Sequence, residues 1–166
     1  MKIRAYVLFV LVAIAMMSST TKKARMSEGV TPGSLAPRIE FSGNGNSLSF
    51  QNHSGRYTLL NFWAAYDAES RASNVLLSNE INKLNSDKIA MLSVSFDEKE
   101  SVFTETVKAD KLKASSQFRD ELGKRSNVYK KYKLEKGFRN FLIDDQGVII
   151  ASNVTPKQLS RLLEKS

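Results

Sequence analysis

The stretch YTLLNFWAAYDAESR, residues 57–71, decides how the rest of this chain is interpreted. Residues 57–63 are almost all apolar or aromatic, which predicts a strand that is buried on both faces. Two alanines and Tyr66 then interrupt the run, and Asp67 is a residue type that commonly caps a helix N-terminus. We therefore expect a buried strand that leads directly into a helix over residues 67 to about 84. The start of such a helix stabilises an anion.

Residues 61–70 of this stretch, NFWAAYDAES, resemble the active-site motif of the thioredoxin superfamily. The resemblance is to envelope thiol–disulfide oxidoreductases of the alkyl hydroperoxide reductase and thiol-specific antioxidant branch, whose motif is roughly N-F-W-A-x-W-C-x-x-C. The two cysteine positions fall on Asp67 and Ser70. In that family the first cysteine reacts as a thiolate whose pKa is lowered by the helix N-terminus. The resemblance implies the same scaffold without its sulfur atoms, with an Asp67 carboxylate that cannot exchange a disulfide.

Three further segments carry this resemblance, which covers residues 32–166. Residues 32–41 resemble the family's G-x-x-A-P-x-F entry, residues 94–97 its V-S-x-D, and residues 141–149 its F-L-I-D-x-x-G-x-I. The resemblance implies an α/β thioredoxin-like fold, with a central mixed β-sheet flanked by helices and an N-terminal β-hairpin extension.

One position departs from the family pattern. The relatives place a cis-proline three residues before the F-L-I-D phenylalanine, facing the cysteine pair, and this chain has Phe138 there. A cis bond before a residue other than proline costs about 2.5–4 kcal/mol, so we expect a trans bond. In the relatives, the loop beside that proline helps to hold an extended substrate segment.

Hydrophobic periodicity predicts the remaining elements. We expect a second buried strand at residues 89–96, and a helix that Asp97 and Glu98 cap. We also expect a helix at 127–132, a strand at 138–144, an antiparallel strand at 148–151 and a last helix from Thr155. Leu76 in the first helix and Leu162 in the last are predicted to face inward.

The composition excludes several classes of chemistry. The 166 residues suit one domain, and 42% hydrophobic and 25% charged residues are ordinary for a globular protein. Because the chain has no cysteine, thiol catalysis, thiolate metal sites and iron–sulfur clusters are excluded. Because the chain has only one histidine, His53, a multi-histidine metal site is also excluded. We predict that His53 lies in a surface loop. We predict no metal and no cofactor.

The N-terminus indicates export. Lys2 and Arg4 precede an apolar run at residues 5–17, which is short for a membrane span and typical of a secretory signal. We predict a signal peptide at 1–17, a linker at 18–33 and the thioredoxin-like domain at 34–166. The location is then periplasmic or extracellular; the alternatives are an uncleaved inner-membrane anchor through residues 5–17 or a buried helix.

The segment from Lys108 to Arg139 is strongly basic, in a chain with a formal net charge of +8. These residues form either a solvated face or a surface for an anionic envelope component, such as a phospholipid headgroup or a polysaccharide. Nucleic acid is not expected as a partner, because the sequence contains no nucleic-acid recognition module and export would separate the protein from nucleic acid.

Three functions remain open. The first is a redox-inactive thioredoxin-like module of the bacterial cell envelope that binds a protein or peptide partner. Its candidate binding rim is Trp63, Tyr66, Asp67, Ser70 and Phe138, although Trp63 and Phe138 could instead be core residues.

The second is a non-thiol enzyme with Asp67 or Asp97 as acid/base and Ser70 as nucleophile. No activating base accompanies this serine in the sequence, so an enzyme is not expected. The third is a basic protein that adheres to anionic envelope components.

Overall fold

A computed structural model describes residues 26–41, 47–51, 53–84 and 87–164. The predicted signal peptide, the first part of the predicted linker and residues 42–46 lie outside these ranges. Among the helices that the structure does describe, none combines the length and apolar character needed to cross a membrane.

The order of elements follows the prediction closely. It is β1 (Ile39–Glu40), β2 (Ser47–Leu48), β3 (Tyr57–Trp63), α1 (Ala68–Leu84), β4 (Ile89–Ser95), α2 (Glu100–Ala109), β5 (Gln117–Arg119), α3 (Asn127–Lys131), β6 (Asn140–Ile143), β7 (Ile149–Ser152) and α4 (Pro156–Glu164). Short 3-10 helices lie at Ala114–Ser116, Gly123–Arg125 and Leu134–Lys136. The sequence did not predict β5, and Phe138 and Arg139 precede β6 instead of beginning it.

The described strands form a mixed central sheet in the order β5-β4-β3-β6-β7. β3 pairs in parallel with β4 and antiparallel with β6. β1 and β2 pair antiparallel as a separate hairpin. The predicted α/β thioredoxin-like fold, including its N-terminal hairpin, is confirmed.

The middle strand of the sheet, β3, is covered on both of its faces. Leu59 points into a core with α1 and α4 and is fully buried. Phe62 points to the other face, where its ring centroid lies 4.6 Å from that of Tyr132. The sequence of a strand that is covered on both faces is a continuous run of apolar residues, and this pattern predicted β3.

Two predicted inward positions are wrong. Leu76 in α1 is 58% exposed and Leu162 in α4 is 39% exposed, whereas the neighbouring Leu77 is fully buried. Consecutive helical residues point about 100° apart, so only one of two adjacent leucines can face the sheet.

The folded domain begins before the predicted boundary at Ser34. Val30 is buried, and the Gly33 N–H donates to the Ile149 carbonyl at 2.8 Å. The Tyr132 hydroxyl, itself buried, donates to the Pro37 carbonyl at 2.5 Å. Residues 26–33, which were predicted as linker, therefore pack against the domain.

Candidate functional site

The junction between β3 and α1 is built by Asp67 and Ser70. Asp67 Oδ1 accepts the Ser70 backbone N–H at 2.8 Å, which makes Asp67 the predicted helix cap. Ser70 Oγ donates to the Asp67 carbonyl at 3.2 Å and accepts from the Ala64 N–H at 3.3 Å. The oxygen atoms of these two side chains thus accept the Ser70 and Ala64 N–H groups at the junction.

This arrangement does not activate Ser70 as a nucleophile. Its hydroxyl is buried and its proton is directed at a carbonyl oxygen, which cannot act as a base. His53 lies before the first residue of β3, whereas Asp67 follows its last residue. His53 is exposed in a loop, as predicted, and donates its backbone N–H to the Asp145 carbonyl. The described residues contain no group of histidines and carboxylates able to hold a metal ion.

Asp97 was predicted to cap α2, and this prediction is wrong. Its carboxylate accepts the Ala65 N–H at 3.0 and 3.1 Å and the Ser95 hydroxyl at 2.7 Å. Lys99 occupies the cap position of α2, without a side-chain hydrogen bond. Asp97 is buried because it turns towards the β3–α1 loop, and it fixes that loop to the end of β4.

Phe138 lies beside the junction, as predicted. Its ring stacks on that of Phe96 with centroids 5.9 Å apart and an interplanar angle of 22°. Its centroid is also 6.3 Å from that of Tyr66. Every peptide bond among the described residues is trans, which confirms the expectation for this loop.

Trp63 is not a rim residue. It is fully buried, and its ring packs beside Phe103 of α2 with centroids 6.3 Å apart. Its indole Nε1 has no hydrogen-bond acceptor among the described residues. The alternative interpretation of Trp63, as a core residue beneath the site, is therefore correct.

Tyr66 is the most prominent exposed residue of the predicted rim. Its side chain is 57% exposed, and the Lys124 Nζ lies 5.5 Å from the ring centroid. Partial burial, followed by the influence of Tyr129 and three nearby carboxylates, raises the pKa of Tyr66 to about 12. The phenol is protonated at physiological pH, as an unperturbed tyrosine also is, and can donate a hydrogen bond.

A groove of about 700 Å³ runs along the start of α1. Asp67, Ser70 and the exposed Leu76 line one wall, and Phe138 lies on the other. Residues 153–156, at the start of α4, complete the lining. Leu76 was not expected in this groove, because it is predicted to face inward, and no motif marks residues 153–156 as part of a site.

Buried polar side chains support the groove from below. Asn74 of α1 accepts hydrogen bonds from Asn61 Nδ2 at 3.0 Å and Ser93 Oγ at 2.8 Å. Its own Nδ2 donates to Gln117 Oε1 at 3.2 Å. Asn61, Ser93 and Gln117 occupy matching register positions on β3, β4 and β5, so one side chain ties α1 to three strands.

The fold and this junction define a class: a thioredoxin-like domain whose two motif cysteines are replaced by Asp67 and Ser70. The chain belongs to the thioredoxin-like family. It is 66% identical to a thioredoxin-like protein from Parabacteroides distasonis, with a TM-score of 0.78, over 84% of this chain and 99% of that one.

Two solved thiol–disulfide oxidoreductases are also similar. The protein from Bacteroides fragilis is 27% identical with a TM-score of 0.65, over 79% of this chain and 98% of that one. The thioredoxin domain of the protein from Bacteroides vulgatus is 26% identical with a TM-score of 0.66, over 82% and 98%. No protein-family model and no curated protein matches the chain. Because this chain has no cysteine, its own residues cannot perform thiol–disulfide exchange.

Proposed function

We propose that this protein is a redox-inactive, thioredoxin-like module of the bacterial cell envelope, which binds a protein or peptide partner in the groove beside α1. The observation that carries the proposal is the pair of hydrogen bonds between Asp67 and Ser70. These bonds complete the helix start without sulfur, and the adjoining groove stays open.

The dimensions and lining of the groove support binding. Its volume of about 700 Å³ lies within the range of about 300–1,000 Å³ that is usual for ligand sites. Leu76, which lines the groove, exposes 58% of its surface, and apolar surface of this kind is stabilised by contact with a partner. Phe138 is held by three aromatic neighbours and offers a rigid wall.

The proposed location rests on two observations. Residues 1–17 have the pattern of a secretory signal. Two of the similar solved structures are named thiol–disulfide oxidoreductases, and disulfides persist mainly in oxidising compartments outside the cytosol.

A capture experiment with a matched pair of variants tests the proposal. The tagged full-length protein is crosslinked in its native envelope and purified, as wild type, Leu76→Glu and Ile150→Glu. Ile150 of β7 is also exposed, at 40%, but does not line the groove. We expect Leu76→Glu to lose a partner that the wild type and Ile150→Glu both retain.

Equal capture by all three proteins would contradict the groove as the binding site. Disulfide reductase turnover by the pure protein would contradict a redox-inactive role. Fractionation of cells that express the tagged chain tests the location, which requires the protein to leave the cytoplasm.

A second candidate, adhesion to an anionic envelope component, is favoured by the charges of the basic segment. Of the eleven Lys and Arg residues from Lys108 to Arg139, only Arg119 and Arg125 form ion pairs within the described part of the chain. Binding to phosphatidylglycerol vesicles that is lost at high salt would support adhesion, since exposed charges are screened by salt. Equal binding to phosphatidylcholine vesicles would exclude it.

A further inference from the structure

The charges that line the groove are separated by sign. Asp67 and Glu69 belong to the start of α1 and are both acidic. Lys136 and Arg139 belong to the facing loop and are both basic. One wall of the groove is therefore negative and the opposite wall is positive.

None of these four charges forms an ion pair within the described residues. Asp67 uses Oδ1 to cap the helix, and its Oδ2 has no hydrogen-bond donor there. Glu69 and Lys136 are exposed, and Arg139 is partly exposed. The ion pairs that the structure does contain lie elsewhere, for example between Arg71 and Asp110. The groove charges are thus available to a bound molecule.

Apolar surface lies between the two charged walls. Leu76 is exposed on the acidic side, and Phe138, which is partly buried, contributes from the basic side. A ligand that fits must bury an apolar group there and place opposite charges to either side.

We propose that the occupant of the groove is a peptide segment with an apolar centre flanked by one basic and one acidic side chain. The basic side chain lies at Asp67 and Glu69, and the acidic one lies at Lys136 and Arg139. This inference rests on the proposed function and adds the chemistry of the partner. A uniformly anionic polymer fits less well, because the α1 wall would repel it.

Charge contributes selectivity more than affinity at such a site. An exposed ion pair changes an equilibrium constant only by about two- to fivefold. Each wall should therefore discriminate by about that factor between a charged and a neutral side chain, and the apolar centre should supply most of the binding.

Four fluorescent peptides of one length test the proposal. All four have blocked ends and a Leu-Phe centre with one flanking residue on each side. The two flanking residues are Lys and Glu in the first peptide, Lys and Gln in the second, Gln and Glu in the third, and Gln and Gln in the fourth. Binding to the full chain is measured by anisotropy, and the amide signals of Ser70, Ser73 and Gly137 report whether the groove is occupied. We expect the Lys and Glu peptide to bind best, by about two- to fivefold over each peptide with one charge.

Two variants should change this ranking in opposite directions. Glu69→Lys should favour the peptide that carries only Glu, and Lys136→Glu should favour the peptide that carries only Lys. The control, Glu105→Lys with Lys108→Glu, exchanges two exposed charges on α2 and should keep the wild-type ranking. Thermal unfolding of each variant confirms that it is folded.

The outcomes separate this inference from the proposed function. Equal binding of all four peptides with shifted groove amides would overturn charge selection and leave groove binding intact. Best binding of the peptide that carries only Glu, with amide shifts outside the groove, would overturn the inference in favour of the basic surface. No amide shift with any peptide would also overturn it, whereas the Leu76→Glu capture experiment decides the proposed function independently.

Discussion

Asp67 and Ser70 hold each other at the start of α1, where the Asp67 carboxylate accepts the Ser70 N–H at 2.8 Å and the Ser70 hydroxyl returns a bond to the Asp67 carbonyl at 3.2 Å. Each residue stands where the related motif has a cysteine. Aspartate is a strong helix cap, and a buried serine hydroxyl both donates and accepts. The pair therefore lacks redox chemistry, while its side-chain oxygen atoms accept the Ser70 and Ala64 N–H groups of this helix end.

Asp67→Ala should lower the free energy of unfolding by about 1 kcal/mol, because the Ser70 N–H loses its acceptor. Asp67→Asn should cost less, since asparagine is also a good cap. Urea unfolding followed by circular dichroism measures both. If Asp67→Ala were as stable as the wild type, the capping role would be disproved.

Asn74→Ala should be more damaging. The replacement leaves Asn61, Ser93 and Gln117 without their shared partner in a buried site. Unsatisfied buried polar groups cost about 1–3 kcal/mol each, so we expect a loss of about 3 kcal/mol. The control is Asn79→Ala, which changes an exposed residue of the same helix and should alter stability by less than about 0.5 kcal/mol. Equal effects of the two variants in urea unfolding would refute the network's role.

The core of the fold could be predicted because its signal is local. The apolar run of β3 matches the observed strand, Tyr57–Trp63, and Asp67 begins the next helix as expected. β5 was missed because it has only three residues and lies within a basic, polar segment. Such a short edge strand is formed by pairing with β4 and carries almost no periodicity of its own.

The candidate site was harder to predict, because its residues interact across the chain. Asp97 precedes a helix, so a cap was the natural expectation, yet its carboxylate bonds to Ala65 in a loop 32 positions earlier. Trp63 belongs to the motif, but its place in the strand alternation directs it into the core beside Phe103. Leu76 was missed because adjacent leucines do not indicate which of them faces the sheet.

The ion pair between Arg71 and Asp110 should make stability depend on acid pH. Its two hydrogen bonds are each 2.7 Å long. The bond from Arg71 is the main reason that the pKa of Asp110 is lowered in the folded state. The contribution is therefore complete above the ordinary pKa of 3.8 and is lost as the pH falls through the lower, folded value. Asp110→Asn should cost about 1 kcal/mol at pH 7.

The difference in stability between the wild type and Asp110→Asn should shrink as the pH is lowered from about 5 to 2, because protonation removes the same charge. Glu105→Gln provides the control, since Glu105 is an exposed carboxylate of α2 with no ion pair in the described structure. This variant should follow the wild-type pH profile in urea unfolding. A gap between the wild type and Asp110→Asn that is constant with pH would show that Asp110 acts other than by its charge.

Replacing Asp67 and Ser70 together by cysteine should restore a redox-active pair. The two positions are already in contact, since Ser70 Oγ lies 3.2 Å from the Asp67 carbonyl. A thiol at position 67 would sit at the N-terminus of α1, which lowers a cysteine pKa and favours the reactive thiolate. We expect the double variant to form an intramolecular disulfide on oxidation, detected by thiol titration and mass, and to reduce insulin disulfides above the wild-type background.

The single variants Asp67→Cys and Ser70→Cys are the controls, because each has one thiol and cannot form the intramolecular bond. They should bind thiol reagents but show no catalysed reduction of insulin. A stable, folded double variant whose two thiols stay reduced in an oxidising buffer would contradict the preserved geometry of the junction. Disulfide formation without turnover would instead assign the lack of activity to the surrounding groove, which Phe138 lines.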